Sequence, residues 1–178
     1  MSLVKKSKFL SLILRHDPGA AGIVLDKNGW TDVGILLEAA DLSMEELKDI
    51  VENNNKKRFE FNIDCSRIRA RQGHSVQVDV ELEKKTPPRS LYHGTKSKVF
   101  PAIKKHGLKK MKRLHVHLSK DEWTAKDVAD RRGGSSVIIQ VDALRMHNDG
   151  HDFFLSNNGV WLTDNVPPDY LMSFSWPE

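Results

Sequence analysis

The sequence predicts an α+β fold in two lobes, on three observations. Residues 1–82 carry apolar side chains mainly at helical spacing and close in strand-like alternation. The stretch EKKTPPRS, residues 83–90, sets two prolines among charged neighbours and reads as a linker. Residues 91–178 then change to short apolar strands separated by two helices, an α+β pattern in its own right. The chain's 178 residues, 39% of them hydrophobic, suffice for a core.

In the first lobe a helix is predicted from Val4 to Arg15, with Phe9, Leu12 and Ile13 on its buried face and Leu10 and Leu14 as further anchors. Asp17-Pro18 stops it, because a residue before proline disfavours the helical region. A short strand over 22–25 follows, then an Asn28-Gly29 turn into Trp30. Thr31 is the expected cap of a second helix carrying Val33, Leu36 and Leu37, and Ser43 with Glu46 forms a capping box for a third with Leu47, Ile50 and Val51. Two strands, 58–63 and 75–82, complete the lobe. Helix, strand, helix, helix, strand, strand is the order of a winged-helix domain, assigned to residues 1–82.

Beyond the linker, in residues 91–178, strands are predicted over 91–93, 116–118, 137–141 and 160–163. Helices are predicted over 98–106, stopped by Gly107, and over 122–131, stopped by Gly133-Gly134. The apolar pieces flanking Asn157-Asn158-Gly159 read as a hairpin.

No apolar run approaches the roughly 18 residues of a membrane span, and the N-terminus lacks a signal-peptide cleavage site, so a cytoplasmic protein is expected. The sequence does not show the oligomeric state, and a monomer is the default expectation. Cys65 stands alone, which excludes an intramolecular disulfide and assigns it to a strand as a small core residue. Charge is uneven: residues 83–113 hold 11 basic side chains against 1 acidic, whereas residues 114–178 hold 5 against 10. A smaller cluster comprises Lys56, Lys57, Arg58, Arg67, Arg69 and Arg71. Such bands attract polyanions through counterion release, or serve merely as a solvated face.

In RIRARQGHS, residues 67–75, a strand would point Arg67, Arg69 and Arg71 to one face, and Gln72-Gly73 would turn the chain towards His74 and Ser75. Three guanidiniums on one face repel unless anions lie among them; these are either a bound phosphate or separate salt-bridge partners. In LYHGTKS, residues 91–97, His93, Gly94 and Thr95 are expected where a strand gives way to a helix, with hydroxyls and helix-end amides suited to phosphate. His115 and His117 share a strand face at a spacing zinc accepts, but no third ligand is evident, and no metal is assigned. Dinucleotide, phosphate-loop, serine-elbow and zinc-protease motifs are absent. A site rich in Arg and His and poor in carboxylates suits an anion that is already a nucleophile.

LSLILRH, LDKNGW, RIRARQGHS, LYHGT, VHLS and NNGVWLT, in this order between residues 8 and 170, resemble the NAD-dependent RNA 2′-phosphotransferases, the KptA-like family related to the eukaryotic tRNA 2′-phosphotransferase. The resemblance implies a winged-helix RNA lobe joined to an ADP-ribosyltransferase-like lobe that holds NAD as co-substrate. It implies removal of an internal RNA 2′-phosphate, in tRNA among other RNAs, through an ADP-ribosylated RNA intermediate. The products would be 2′-OH RNA, nicotinamide and ADP-ribose 1″,2″-cyclic phosphate.

By the same resemblance Arg15, His16, Arg69 and Arg131 are the catalytic quartet, and Arg15 and His16 face a cleft between the lobes. Arg15 and Arg69 would clamp the phosphate, His16 would hold it and move a proton, and Arg131 would stabilise charge beside the nicotinamide ribose. His93, Gly94 and Thr95 match the first NAD motif, and His117 and Ser119 the second. The glutamate of the third motif is replaced by Gly159-Val160-Trp161, in keeping with a phosphate that needs no base. VADRRGGSS departs from the expected glycine and proline, and Arg131 is chosen there over Arg132. Two other readings remain: an ADP-ribosyltransferase acting on terminal phosphates of RNA or DNA, and a non-catalytic winged-helix nucleic-acid-binding protein.

Overall fold

The computed structural model describes residues 2–53, 57–131 and 133–175; Lys56 of the basic cluster and Arg132 lie outside them. The chain divides into two compact units, Met1–Glu81 and Leu82–Glu178, each mixing helix and antiparallel sheet.

In the first unit α1 (Leu3–Ile13), α2 (Val33–Ala40) and α3 (Met44–Glu52) pack around a sheet of β1 (Thr31–Asp32), β2 (Phe59–Phe61) and β3 (Arg67–Ala70) in the order β1-β3-β2. The buried stripe of α1 is Lys6, Leu10 and Ile13, joined by Leu14, with Phe9 packed against it; of the expected residues only Leu12, 43% exposed, stands outside, and Lys6 is the unexpected member. Lys6 tolerates this place because its ammonium bonds both carboxylate oxygens of Glu46 at 2.8 Å and the Asp41 carbonyl at 2.9 Å. The helix ends two residues early, since the N–H groups of Arg15 and Asp17 join that of His16 on the Leu12 carbonyl, at 3.4 and 3.0 Å, and not on the carbonyls four residues before them. Arg15 and His16 therefore lie in the terminal turn.

Four further expectations need correction. Residues 22–25 form no strand, although Ile23 is buried; the strand of this region is Thr31–Asp32. Asp32, and not Thr31, caps α2 by accepting the Ile35 N–H at 3.0 Å. Residues 75–82 alternate in burial, with Val78 and Val80 inside, but run outside any ladder, while Arg67–Ala70 pairs with both β1 and β2. Val78 and Val80 are covered by the turn at Gly29, which both approach, and not by a neighbouring strand. The capping box of α3 is present, both Ser43–Glu46 bonds being made. Cys65 is half-buried in a turn with φ of 59°, not in a core strand.

The second unit takes in the whole of the expected linker: β4 (Glu83–Lys84) pairs with β9 (Phe154–Leu155) in a sheet ordered β4-β9-β10-β7, where β7 is Val116–Leu118 and β10 is Trp161–Thr163. The expected hairpin around Asn157-Asn158-Gly159 joins β9 to β10. A second sheet places β8 (Ser136–Asp142) between β5 (Ser90–Lys96) and β12 (Leu171–Ser175), and a two-stranded piece pairs β6 (Leu108–Lys109) with β11 (Asn165–Val166). Helices α4 (Phe100–His106), α5 (Glu122–Asp130) and α6 (Ala143–Asn148) complete the unit, α6 and β12 having no counterpart in the sequence reading. Leu91, Leu118, Ile139, Val141, Met146 and Phe153 form its centre. No helix among the described residues is long and apolar enough to cross a membrane.

Gly107 ends α4 as expected, and for two physical reasons. Its φ is +75°, and a Cβ there would lie 2.1 Å from the Val166 carbonyl oxygen, backbone that cannot swing aside. Gly107→Ala is expected to lower unfolding free energy by about 3 kcal/mol or more, read as a reduced denaturation midpoint.

Candidate active site

The first unit brings together two segments far apart in the chain. The carbonyl of Arg15 accepts the N–H groups of Ser75 and Val76, at 2.8 and 3.3 Å, and Nδ1 of His16 shares a 3.0 Å hydrogen bond with Ser75 Oγ. Gly73, with φ of +89°, lets the chain leave β3 and return to the end of α1. Arg15 is half-buried, with Nη2 3.5 Å from the Arg58 carbonyl and its guanidinium carbon 5.9 Å from the Phe59 ring centre.

Arg69 is the best-held cation in this group. Its guanidinium carbon lies 4.4 Å from the centre of the Trp30 ring. Nε donates to Glu60 at 2.8 Å, and Nη1 donates to Glu81 at 3.1 Å and to the Asn28 carbonyl at 3.3 Å. Glu60 is the direct cross-strand neighbour of Arg69 and also pairs with Arg71 at 3.2 Å, while Arg67 bonds Asp26 at 2.9 Å. The arginines of this strand and turn thus have carboxylate partners, as the salt-bridge reading had it. Among the described residues Nη2 of Arg69 has no protein partner, so one edge of a rigidly oriented fork stays available to an anion.

His74, next to this group, is 1% exposed and its Nε2 has no hydrogen-bond partner among the described residues. Burial, followed by the charges of Arg15, His16 and Arg69, pushes its pKa down to about 4. The imidazole is neutral near pH 7, which spares the cluster another positive charge.

In the second unit Nδ1 of His93 donates to the His117 carbonyl at 2.9 Å, and Nδ1 of His117 to the His115 carbonyl at 3.0 Å. A carbonyl can only accept, so each Nδ1 carries the proton. Burial holds the His93 pKa below its ordinary value, the bond to His117 opposes this, and Arg113 adds to the lowering. Neutral His93 presents Nε2 as an acceptor. Ser119 exchanges two backbone bonds with Tyr92, at 2.9 and 2.7 Å, bringing the second expected motif beside the first.

His93, Gly94 and Thr95 lie within β5, opposite Ile139, Ile138 and Val137, and not at a strand-to-helix junction; Ser97 beyond them bonds Ser135. Helix-end amides are therefore not what these three residues offer. A Cβ on Gly94 would stand 1.8 Å from the Ala125 carbonyl oxygen, so this glycine lets α5 pack on β5. Arg131 is exposed at the C-terminal end of α5, and no described contact joins it to His93 or His117. Among the described residues no three His, Cys, Asp or Glu side chains converge as metal ligands.

Residues 1–165 match the description "RNA 2'-phosphotransferase, Tpt1 / KptA family". The chain belongs to that family. It is 51% identical over 169 residues to a probable RNA 2′-phosphotransferase of Rhizobium johnstonii, covering 93% of this chain and 91% of the relative. A protein of the same description from Flavobacterium johnsoniae is 52% identical over 170 residues, 93% of each chain, and one from Fusobacterium nucleatum 48% over 173 residues, 94% and 97%.

For this phosphotransferase-family chain, the sequence reading named Arg15, His16 and Arg69 but gave no role to Glu60, Glu81, Trp30 or His74. Glu60 carried a signal, since a carboxylate on a strand facing arginines on the next is a cross-strand pair. Burial of His74 has no such mark in the sequence. Between pH 6.5 and about 4 the unfolded chain protonates His74 while the folded chain does not, so stability falls as pH drops through that window. The contribution is up to about 3 kcal/mol at the acid end. In urea titrations at pH 7 and pH 4.5, His74→Gln is expected to lose less stability on acidification than the parent; an equal loss would contradict the assignment.

Proposed function

We propose that the chain removes an internal 2′-phosphate from RNA, tRNA included, by transferring it to NAD through an ADP-ribosylated RNA intermediate. The products are 2′-OH RNA, nicotinamide and ADP-ribose 1″,2″-cyclic phosphate. Family membership supports an enzyme acting on RNA 2′-phosphate. The observation that carries the reading to residues is that Arg15, His16 and Arg69 all act by charge on the one buried imidazole of His74, while an edge of the Arg69 fork is left open.

In this reading the first unit, with its helix, strand, helix, helix, strand, strand order, is a winged-helix RNA lobe. The second is an ADP-ribosyltransferase-like lobe, and the protein acts as a cytoplasmic monomer. NAD supplies an electrophilic ribose carbon with nicotinamide as leaving group, and a neighbouring hydroxyl. The neutral His93 fits it: Nε2 can accept from a ribose hydroxyl without adding charge. Thr95 lies two residues along the same strand, and His117 and Ser119 lie on the chain bridged to it through Tyr92.

Arg15 and Arg69 hold the phosphate dianion so that one of its oxygens forms the new bond to the ribose carbon as the bond to nicotinamide breaks. In the second step the ribose 2″-oxygen bonds to phosphorus, and the bond from phosphorus to the RNA 2′-oxygen breaks. The hydroxyl proton ends on the RNA 2′-oxygen, and His16 moves it. Arg131 stabilises charge beside the ribose. No side-chain base is needed for the first step, because the nucleophile is already an anion.

An RNA oligonucleotide bearing one internal 2′-phosphate, incubated with and without NAD, tests this. Loss of the phosphate together with appearance of the cyclic product, both only with NAD, is expected. Stable ADP-ribosylated RNA would point instead to a terminal-phosphate ADP-ribosyltransferase, and binding without turnover to a nucleic-acid-binding module. Arg69→Ala is expected to lower kcat/KM at least about tenfold, or about 1.4 kcal/mol of barrier, with a denaturation curve confirming that the variant is folded.

A further inference from the structure

The basic band of the sequence is not spread evenly over the second unit. Lys104 and Lys105 are exposed in the last turn of α4, Lys109 is exposed on β6, and Lys112 is exposed in the turn that follows. Only Gly107 and Leu108 separate the helix end from Lys109, and the Arg113 N–H to Lys110 carbonyl bond, 3.0 Å, closes the turn. Met111 at its tip is 84% exposed, with φ of +55°. The nearby acid, Asp164, is engaged by Lys110.

Lys104, Lys105, Lys109 and Lys112 have no carboxylate partner among the described residues. Elsewhere in this unit Lys84, Lys85 and Lys126 each have one, and Lys98 and Lys120, which also have none among the described residues, stand apart in the chain from this group. The carbonyl end of α4 accounts for Lys104 and Lys105 but not for Lys109 or Lys112, which belong to a strand and a turn. Four unneutralised ammonium groups within nine residues repel one another, and a polyanion relieves that repulsion. Arg113, next to Lys112 in the chain, acts by charge on His93, and Lys110, next to Lys109, on His115.

We propose that Lys104, Lys105, Lys109 and Lys112 form a phosphate-tracking surface for the RNA body, contacting backbone away from the reacting nucleotide. The inference rests on the reading of the chain as an RNA 2′-phosphotransferase and adds a second region of RNA contact, in the second unit. Lysines with no aromatic partner read charge and not sequence, so the contact would serve any RNA long enough to reach it.

The test is the fourfold variant K104Q/K105Q/K109Q/K112Q, assayed on a 2′-phosphorylated RNA of about 20 nucleotides and on a 2′-phosphorylated dinucleotide. For the long RNA, KM is expected to rise at least about tenfold with kcat unchanged. The slope of log affinity against log salt should flatten by about two to three, at roughly 0.7 per phosphate contact on a single strand. The dinucleotide's kcat/KM and the KM for NAD should not move. An unchanged long-RNA KM and salt slope would overturn the proposal, as would an equal loss on the dinucleotide, and a raised KM for NAD would reassign the lysines to the cofactor's phosphates. If the parent binds RNA but leaves the 2′-phosphate in place, the enzymatic reading fails, while flattening of the salt slope for plain RNA still decides this one.

Discussion

The carbonyl oxygen of Arg15 accepts two backbone N–H groups, from Ser75 and Val76, and the polar cluster of the first unit depends on that junction. His16 and Ser75 are 59 positions apart, so bringing them together costs loop-closure entropy that only a packed unit repays. The Leu12 carbonyl, by taking the N–H groups of Arg15 and Asp17, ends α1 where it can present Arg15 to this junction. Leu10, Ile13, Leu14, Phe59 and Ile68 hold both segments from below. Were the helix to run on as a regular α-helix, the Arg15 carbonyl would face a later turn of its own helix and not the chain beyond β3.

With the segments joined, electrostatics decides how the cluster behaves. Several cationic side chains in a half-buried place would be unstable unless neutralised, and Glu60 does most of this by pairing with Arg69 and Arg71. Those bonds also fix the plane of the Arg69 fork against Trp30, so that the side left over has a defined direction. His74 contributes by being uncharged. The outcome is a cluster of cations held by carboxylates, with one edge of the Arg69 fork left open in a defined direction.

The second unit positions its side chains differently, through backbone contacts within its sheets. His93 and His117 are each fixed by a carbonyl acceptor, and Ser119 by a two-way bridge to Tyr92. Gly94 is required by the close approach of α5, whatever else it touches. A motif histidine here has its tautomer set by main chain, which side-chain substitutions elsewhere do not easily disturb.

By itself the sequence determined the helices with strong local signals: the Ser43–Glu46 capping box, Gly107 at the end of α4 and the Asn157-Asn158-Gly159 hairpin. These are decided within a few residues, by hydrogen-bond caps and positive φ, and so are legible in a short window. Through its resemblance to the family it also singled out Arg15, His16 and Arg69 as candidates. Tertiary structure alone decided the rest. Burial of Lys6 in place of Leu12 depended on Glu46, forty positions away. The alternation at 75–82 proved to be packing without a ladder, and the assignment of Glu60 to Arg69 and Arg71 needed the β2–β3 register. A short window records what a residue prefers, whereas partners brought by the fold set which side chain is buried, neutral or left with an open hydrogen-bonding edge.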